Sequence, residues 1–219
     1  MRKNILFLVL LFLIVAGCSP TVLFNGPQPA EKKDLVQFPS RYQGTYESID
    51  DSSVYLVEKY MIRQRNIIDI SVPKTEIDTS QDVILEDNLL YVKETGEKVP
   101  VTFRNDSVFG TLTTYDTTFF ISDKGILRKF KGYYFLNFKQ EEDQWMVYKL
   151  KFKKDGTATA CGISKDDEID QIKAIFTVEE IKNDKGEGQK YIIKPEKGDF
   201  KKLIELGYFR ECSSYRKIK

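Results

Sequence analysis

The chain has 219 residues, with 34 Lys and Arg, 33 Asp and Glu and no His, which gives a formal net charge of +1. This balance excludes the strong positive field that attracts nucleic acid or an anionic bilayer. The absence of His excludes His-assisted nucleophilic catalysis and His-ligated metal sites. With 41% hydrophobic and 31% charged residues, the chain is too apolar for disorder and too charged for a multi-span membrane protein.

The N-terminal residues have the layout of a secretory signal. Arg2 and Lys3 precede an unbroken apolar run over 5–15, which is shorter than the roughly 20 residues that a transmembrane helix needs. The run leads into Val15-Ala16-Gly17-Cys18, which resembles the lipobox of bacterial lipoproteins. The resemblance implies that residues 1–17 are removed as a signal peptide and that Cys18 is acylated. The alternatives are an uncleaved anchor and a free thiol at Cys18.

The lipoprotein resemblance also implies a location. Two or more acyl chains hold a protein stably at a membrane without a spanning segment. Ser19 follows the cysteine, which in enteric lipoproteins favours sorting to the outer membrane, and the Lys-, Ile-, Tyr- and Phe-rich composition resembles lipoproteins of Bacteroidetes. An acidic run after the cysteine often marks surface export in those bacteria, and residues 19–30 contain no acid. We therefore expect a lipid-anchored protein on the periplasmic face of the outer membrane.

Residues 18–40 are predicted to be the lipidated cysteine and a flexible tether. Four of the seven prolines lie in 19–40, together with Asn25-Gly26, a composition typical of a linker. The later sequence contains no comparable Pro-, Gly- or Ser-rich break. We therefore expect residues 41–219 to form a single β-rich domain.

Turn signals recur at strand spacing from Arg41 onward. Residues 148–153 alternate strictly between apolar and basic side chains, which places Tyr148, Leu150 and Phe152 on one face of a strand. Lys154-Asp155-Gly156 indicates a tight turn. Together these patterns predict about eight to eleven short strands, mostly in an antiparallel meander. Further strand-like segments are 54–62, 67–72, 99–104, 133–139, 157–163 and 214–218.

Two segments near the C-terminus are predicted to be helices. Apolar residues recur at helical spacing within 164–176, where Ser164 is a candidate N-cap. The same spacing follows Asp199, and Gly207 stands where that helix would end. The predicted fold class is therefore mostly β, an antiparallel meander forming a barrel or a sandwich with one or two short helices near the C-terminus.

Gly44-Thr45-Tyr46 resembles the Gly-x-Trp sequence that opens the first strand of lipocalin-like barrels, with Tyr in place of Trp. The predicted order of a long meander, a helix and a short last strand is also similar to these barrels, which recur among bacterial lipoproteins. The resemblance covers three residues. It implies a barrel architecture and assigns no binding residue.

Cys161 and Cys212 remain in the chain besides Cys18. In an oxidising envelope compartment an even pair of cysteines favours a disulfide, which here would close a loop of about fifty residues. Such a bridge contributes roughly 3–4 kcal/mol to stability. The alternative is that both residues are buried, unpaired thiols that act as small hydrophobic side chains.

Catalytic and metal-binding motifs are weak in this sequence. The Ser-x-x-Lys matches at 71–74 and 214–217 lack the Ser-Asp-Asn and Lys-Thr-Gly companions of acyl-transfer enzymes. The acidic runs 141–143 and 166–168 are typical of turns and helix starts, and 183–188 resembles only a fragment of a calcium loop. Glycine-rich phosphate cradles are absent. We expect a non-catalytic protein without a cofactor or a metal.

The segments 133–139 and 145–152 are predicted to form a hairpin that pairs Phe138 with Met146 and Lys139 with Trp145. One face of this hairpin combines aromatic and lysine side chains and could stack a sugar, hold an apolar ligand or dock a partner. Alternatively, a helix or the tether packs on it, with lysine stems covering the edges. The residues of this aromatic–lysine face are Tyr133, Phe135, Lys139, Trp145, Val147, Lys149 and Lys151.

These patterns favour a binding protein. The 15 Phe and 12 Tyr could line an interior cavity for a small apolar or glycan ligand. The alternative is a structural or assembly subunit that docks another envelope protein through the aromatic–lysine face. A hydrolase would need a cleft with two carboxylates of perturbed pKa, which no motif supports. The expected partners are the membrane, through the lipid anchor, and a small molecule or an envelope protein, but not a nucleic acid.

Overall fold

Strands account for most of the chain in the computed structural model, which describes residues 21–94, 96–163, 167–182, 189–196 and 198–219. The predicted fold class, mostly β with antiparallel pairing, is confirmed. The strands of the described residues are β1 (Thr21–Phe24), β2 (Asp34–Leu35), β3 (Gly44–Ser48), β4 (Val54–Val57), β5 (Met61–Pro73), β6 (Val83–Glu86), β7 (Leu89–Val92), β8 (Lys98–Arg104), β9 (Ser107–Phe120), β10 (Gly125–Phe130), β11 (Tyr133–Glu141), β12 (Gln144–Phe152), β13 (Thr157–Ile163), β14 (Val178–Lys182), β15 (Gln189–Ile193) and β16 (Phe209–Lys217).

The helices are short. Both predicted C-terminal helices are present within the described residues, although Ser164 lies outside them, and Gly207 follows the last helix with φ of +77°, the left-handed conformation that glycine adopts at helix ends. The first helix was not predicted, because six residues with a single buried side chain, Ile77, show no helical periodicity. In the described part of the chain, no helix is long and apolar enough to cross a membrane. The α-helices are α1 (Lys74–Thr79), α2 (Asp167–Lys173) and α3 (Asp199–Glu205), and Ser40–Tyr42 forms a 3-10 turn.

Most of the strands belong to one sheet, ordered β14-β15-β1-β12-β13-β16-β3-β4-β5-β9-β8-β7-β6, and β11, β10 and β2 continue from the other edge of β12. All pairs are antiparallel except β1 with β15. The C-terminal strand β16 lies between β13 and β3, so the order departs from a simple meander. The segment 54–62, expected to be strand throughout, contains a turn after Val57, where the Glu58 N–H bonds to the Met61 carbonyl at 2.8 Å.

The sheet is open but curves around a shared inner face. Strands that lie far apart in the strand order contribute to one buried cluster, which a flat sheet would not allow. Tyr42 stacks on Phe152 with ring centroids 4.5 Å apart, and Phe119 meets Phe138 at 5.1 Å. The resulting shape is that of an open barrel or a sandwich. The buried members of this inner cluster are Phe38, Tyr46, Val57, Ile62, Phe119, Leu127, Tyr134, Leu136, Leu150, Phe152 and Ala158.

The outer face of β11, β12 and β13 is also buried. Strands β1 and β15 and helices α2 and α3 pack on it and form a second cluster. Phe200 of α3 lies 5.0 Å from Phe135 and 5.9 Å from Phe24, measured between ring centroids. This part of the sheet therefore has a buried cluster on each of its faces.

The tether expected over 18–40 is not observed in its described part, 21–40. Leu23 and Phe24 are each 1% exposed in a strand that pairs with both β15 and β12, and Phe38 is fully buried. Between these buried anchors Pro27 and Pro29 occupy a loop, where the missing N–H of proline breaks no ladder hydrogen bond. The proline content therefore marks a loop inside the fold and not a linker outside it.

Arg128 of β10 holds this N-terminal loop against the sheet. Its guanidinium Nε lies 2.7 Å from the Asp34 carboxylate, and its Nη1 donates to the Pro29 carbonyl at 3.0 Å and to the Pro27 carbonyl. The Arg128 side chain is only 11% exposed, whereas its partner Asp34 is 55% exposed, so the guanidinium is shielded from water but the carboxylate is not. A hydrogen bond to a charged donor contributes more than a neutral one, and the three together fix the position of residues 27–34.

Strands β5 and β9 are 13 and 14 residues long and extend beyond the curved part of the sheet. Their far ends pair onward with β8, β7 and β6, and α1 packs against this extension. A third, smaller apolar cluster stabilises it, built on Ile77, Leu90, Val99, Val101 and Val108. The extension has a core of its own and takes no part in the inner cluster.

Candidate functional site

A partly open cavity of about 630 Å³ lies beside the inner face, and Val22, Phe24, Val147 and Ile163 of the second cluster also contribute to its lining. This volume lies in the range of about 300–1,000 Å³ that is typical of small-molecule sites. The lining is mainly aromatic and aliphatic, so an apolar ligand would lose little polar hydration on entering. The described lining residues are Val22, Phe24, Tyr46, Tyr55, Val57, Ile62, Thr118, Leu136, Phe138, Gln140, Met146, Val147, Tyr148, Leu150, Phe152, Ala158, Ala160, Gly162, Ile163, Glu211, Ser213 and Tyr215.

Small side chains on β13 create the space. Ala158, Ala160 and Gly162 alternate along the strand and all line the cavity, because successive residues of a strand point to opposite faces. Opposite them on β16 stand Tyr215, Ser213 and Glu211, paired one to one. A strand with large inward residues at these positions would fill the space that the structure leaves open. The alternation of small residues in 158–162 was readable in the sequence but was not recognised as a cavity signal.

Gly162 has a specific role at one end of the cavity. A Cβ atom at this position would lie 3.3 Å from the Tyr148 ring, so the absent side chain allows the ring to lie over the backbone of β13. Tyr148 also meets Phe138 edge to face, with 5.7 Å between ring centroids. Because Tyr148 is 36% exposed, its ring forms part of the cavity wall at the solvent side.

Four tyrosines bring hydroxyl groups to the apolar lining. Burial, together with the neighbouring Tyr42, raises the pKa of Tyr46 to about 12, and the Tyr46 hydroxyl donates to the Tyr42 carbonyl at 2.9 Å. Burial also raises the pKa of Tyr55, Tyr148 and Tyr215. All four hydroxyls are therefore neutral at physiological pH. The Tyr46 proton is already used in the bond to the Tyr42 carbonyl, so Tyr55, Tyr148 and Tyr215 are the hydroxyls that can donate to a ligand.

Charge around the cavity is predominantly negative. Glu211 lies near enough to Tyr148 to add to the rise in its pKa, after burial, and Asp51 does the same for Tyr55. Lys217 is the basic group beside Tyr46, with Nζ 5.8 Å from the ring centroid, but this ammonium donates to the Gln43 carbonyl at 2.6 Å. The site therefore offers carboxylates rather than free cations.

Of the two alternatives for Cys161 and Cys212, a disulfide and unpaired thiols, the structure shows the disulfide. The two residues stand opposite each other on β13 and β16 and are joined by a disulfide, with Cα atoms 4.0 Å apart. Cys161 belongs to the outer cluster, so the bridge lies on the face of these strands opposite the cavity. It links the two strands whose inner faces carry the small residues and their partners.

The predicted hairpin register is confirmed, with Phe138 opposite Met146 and Lys139 opposite Trp145. Of the two interpretations of the aromatic–lysine face, an exposed binding surface and a packed interface, the structure shows the packed interface at its centre. Phe135 is fully buried against Phe200 of α3, and Trp145, which is 7% exposed, stands opposite Phe24 of β1. The covering elements come from opposite ends of the chain, which sequence spacing within the hairpin could not indicate.

The remaining residues of this face lie at its edges. Lys139 is exposed, whereas the Lys149 ammonium lies 5.3 Å from the Tyr133 ring centroid and donates to the Phe209 carbonyl at 3.3 Å. Burial lowers the pKa of Lys149. Lys151 also lies over Tyr133, at 4.5 Å. The lysine stems thus close the edges of a packed interface, as the alternative interpretation expected.

The residues proposed for other chemistry do not form a second site within the described ranges. Ser71 and Lys74 are separated by the junction between β5 and α1, and no group of three or more acidic or cysteine side chains there is arranged to hold a metal ion. The calcium-like segment 183–188 and Cys18 both lie outside the described residues. Compared with protein-family models, curated proteins and solved structures, the chain shows no match.

Proposed function

We propose that this protein is a non-catalytic, lipid-anchored envelope protein that binds a small, mainly apolar ligand in the cavity of its curved sheet. The observation that carries the proposal is the cavity of about 630 Å³ with aromatic and aliphatic walls. Each methylene group of a ligand that enters such a cavity contributes about 0.8 kcal/mol. A chain of ten carbons would contribute about 8 kcal/mol, which exceeds the lower estimates, about 4 kcal/mol, of the cost of lost translational and rotational freedom.

The tyrosine hydroxyls extend this proposal to ligands with a polar end. A long apolar chain would occupy the region beside Leu150 and Phe152, and its polar end would meet the hydroxyls near Tyr148. A few well-placed polar groups in an otherwise apolar site fix the orientation of a ligand. A glycan, with hydroxyls on every carbon, would find too few partners among these walls.

The position of Cys18 supports a link with the membrane. Cavity-lining Val22 is only four residues from this cysteine, and an extended chain spans at most about 3.6 Å per residue. If Cys18 is acylated, the lining at Val22 lies within about 14 Å of the anchor. A ligand that leaves the bilayer would then have a short path to the cavity. This proximity contrasts with the long tether that the proline content suggested.

The alternative function, a subunit that docks an envelope protein, was based on the aromatic–lysine face. The centre of that face is not accessible to a partner. Phe135 and Trp145, the centre of the aromatic–lysine face, are covered by other parts of the same chain. A partner would have to displace β1 and α3 to reach them. The open cavity favours a ligand carrier over such an assembly subunit.

Native mass spectrometry of residues 19–219, purified from a lipid-containing host, tests the proposal. The expected spectrum shows a defined extra mass that is lost on denaturation. Incubation with decanol, a neutral ten-carbon probe, should produce a one-to-one adduct if the protein is isolated empty. Absence of both the co-purified mass and the decanol adduct would contradict the proposed function.

A further inference from the structure

Charged side chains are unevenly distributed around the cavity. Among the described lining residues, Glu211 alone carries a charge. It is an exposed residue on β16, paired with Gly162, and it forms no ion pair with any residue that the structure describes. Its carboxylate is therefore hydrated and accessible, and it stands at the solvent side of the apolar walls.

Aromatic rings adjoin this carboxylate. Because Gly162 has no side chain, the Tyr148 ring lies over β13 next to Glu211, and Phe138 meets the same ring at 5.7 Å. The influence of Glu211 on the Tyr148 hydroxyl supports their proximity. A carboxylate beside aromatic faces is the chemistry that binds an organic cation, through charge and through the ring quadrupole.

An anionic head group would find no equivalent partner. Asp50 and Asp51 add negative charge near Tyr215, at the same strand β16. Lys217, the basic group beside Tyr46, is held by the Gln43 carbonyl at 2.6 Å and by the Arg41 carbonyl at 3.4 Å. None of the described lining residues is Lys or Arg, so a carboxylate or phosphate there would meet Glu211 without a basic lining side chain to offset it.

From this arrangement we propose that the cavity selects amphiphiles with a cationic head group, which Glu211 and Tyr148 contact, over amphiphiles with the same apolar chain and an anionic head group. The inference rests on the proposed ligand-binding function and adds the class of ligand. In this arrangement the apolar walls contact the apolar chain of the ligand, and the Glu211 carboxylate at the solvent side contacts its head group.

A competition experiment with probes of equal chain length tests this selectivity. Residues 19–219, which include every described residue, are loaded with the neutral fluorescent reporter N-phenyl-1-naphthylamine at pH 7. Decylamine, decanol and decanoate are then titrated below their micelle concentrations. We expect decylamine to displace the reporter at about tenfold lower concentration than decanoate, with decanol between them, as a partly solvated ion pair implies.

The variant Glu211→Gln removes the negative charge of the side chain but keeps nearly the same shape, so it isolates the contribution of charge to ligand selectivity. Because Glu211 is exposed, the substitution keeps the fold, and we expect the ratio between decylamine and decanoate to fall several-fold towards one. Glu86→Gln, an exposed carboxylate on β6 in the extension, is the matched control and should leave the ratio unchanged.

The outcomes of this experiment test the charge selectivity and the ligand-binding function separately. Equal displacement by decylamine and decanoate, preference for decanoate, or an unchanged ratio in Glu211→Gln would overturn the charge selectivity while the cavity remains a binding site. If the reporter and all three probes fail to bind, the ligand-binding function itself is contradicted, and the selectivity with it.

Discussion

Asn137 and Gln28 exchange two hydrogen bonds across 109 residues of sequence. The Gln28 backbone N–H donates to Asn137 Oδ1 at 2.6 Å, and Asn137 Nδ2 donates to the Gln28 carbonyl at 2.9 Å. Asn137 is fully buried on the outer face of β11, where an amide is tolerated only if its donors and acceptors are paired. This exchange joins the loop after β1 to the central sheet and explains why the proline-rich segment is ordered.

Replacement of Asn137 by Ala should therefore destabilise the protein by about 2–4 kcal/mol, because it leaves the buried Gln28 N–H and carbonyl unpaired. Urea unfolding measures the change. Trypsin should also cleave the variant faster at Lys32 and Lys33, which lie in the released loop. Asn66→Ala, which removes an exposed hydrogen bond to Asp116, is the control and should cost less than about 1 kcal/mol. Equal effects of the two substitutions would contradict the anchoring role of Asn137.

The Cys161–Cys212 bridge closes a loop with a sequence separation of 51 residues. In the chain-entropy account, a loop of this size contributes about 4 kcal/mol. Reduction should add the mass of two hydrogens, and the double variant Cys161→Ala/Cys212→Ala should lose stability by roughly 3–4 kcal/mol. Free thiols in unreduced protein, detected by alkylation under denaturing conditions, would show that the bridge does not form.

Tyr46 makes the stability of the protein depend on pH in the alkaline range. Its pKa is about 12 in the fold against an ordinary value of 10.0, so the unfolded chain loses the proton first as pH rises. The stabilisation is complete below pH 10 and is lost between pH 10 and about 12, by roughly 1–1.5 kcal/mol at pH 11. Tyr46→Phe should be less stable than wild type at pH 7 by about 1 kcal/mol, and this gap should narrow as pH rises. A gap that stays constant to pH 11.5 would contradict the burial of the hydroxyl.

Trp145, the single tryptophan of the chain, reports on the covered aromatic–lysine face. At 7% exposure it should emit at short wavelength and resist quenching by acrylamide. A reference variant, Trp145→Phe/Tyr60→Trp, places the tryptophan at a position where the native tyrosine is 45% exposed, and its quenching constant should be several-fold larger. Similar quenching of both proteins would indicate that β1 and α3 leave the face open.

Local patterns in the sequence predicted several contacts residue by residue. Strict alternation in 148–153 defined the inner side of β12, and from it the pairing of Lys139 with Trp145 followed. The disulfide between Cys161 and Cys212 was one of two alternatives, and the antiparallel pairing of β13 with β16 places these cysteines opposite each other. These predictions depend on the pattern of neighbouring residues or on the number of cysteines, and both can be read directly from the sequence.

The covering of the outer face could not be derived in the same way. Phe24 and Phe200 meet over Phe135, although they lie at opposite ends of the chain, and no local periodicity connects them. An interior cavity was among the expectations, but its position in the fold was missed for another reason. Ala160 and Gly162 follow the expected alternation of a strand, but the space they leave depends on which strands curve around them, a property of the whole sheet.

The proposed binding of an apolar ligand can be tested most directly by filling the cavity from within. Ala160 of β13 lines the space, and Ala160→Phe would place a ring there at little cost to stability if the space is real. Thr113→Phe, on an exposed position of β9, controls for nonspecific binding to an added ring. The measurement is an equilibrium titration of N-phenyl-1-naphthylamine into the three proteins. The account predicts saturable binding to wild type and Thr113→Phe, and at least about tenfold weaker binding to a folded Ala160→Phe. Equal affinity of all three proteins would contradict a ligand site on the inner face of the sheet.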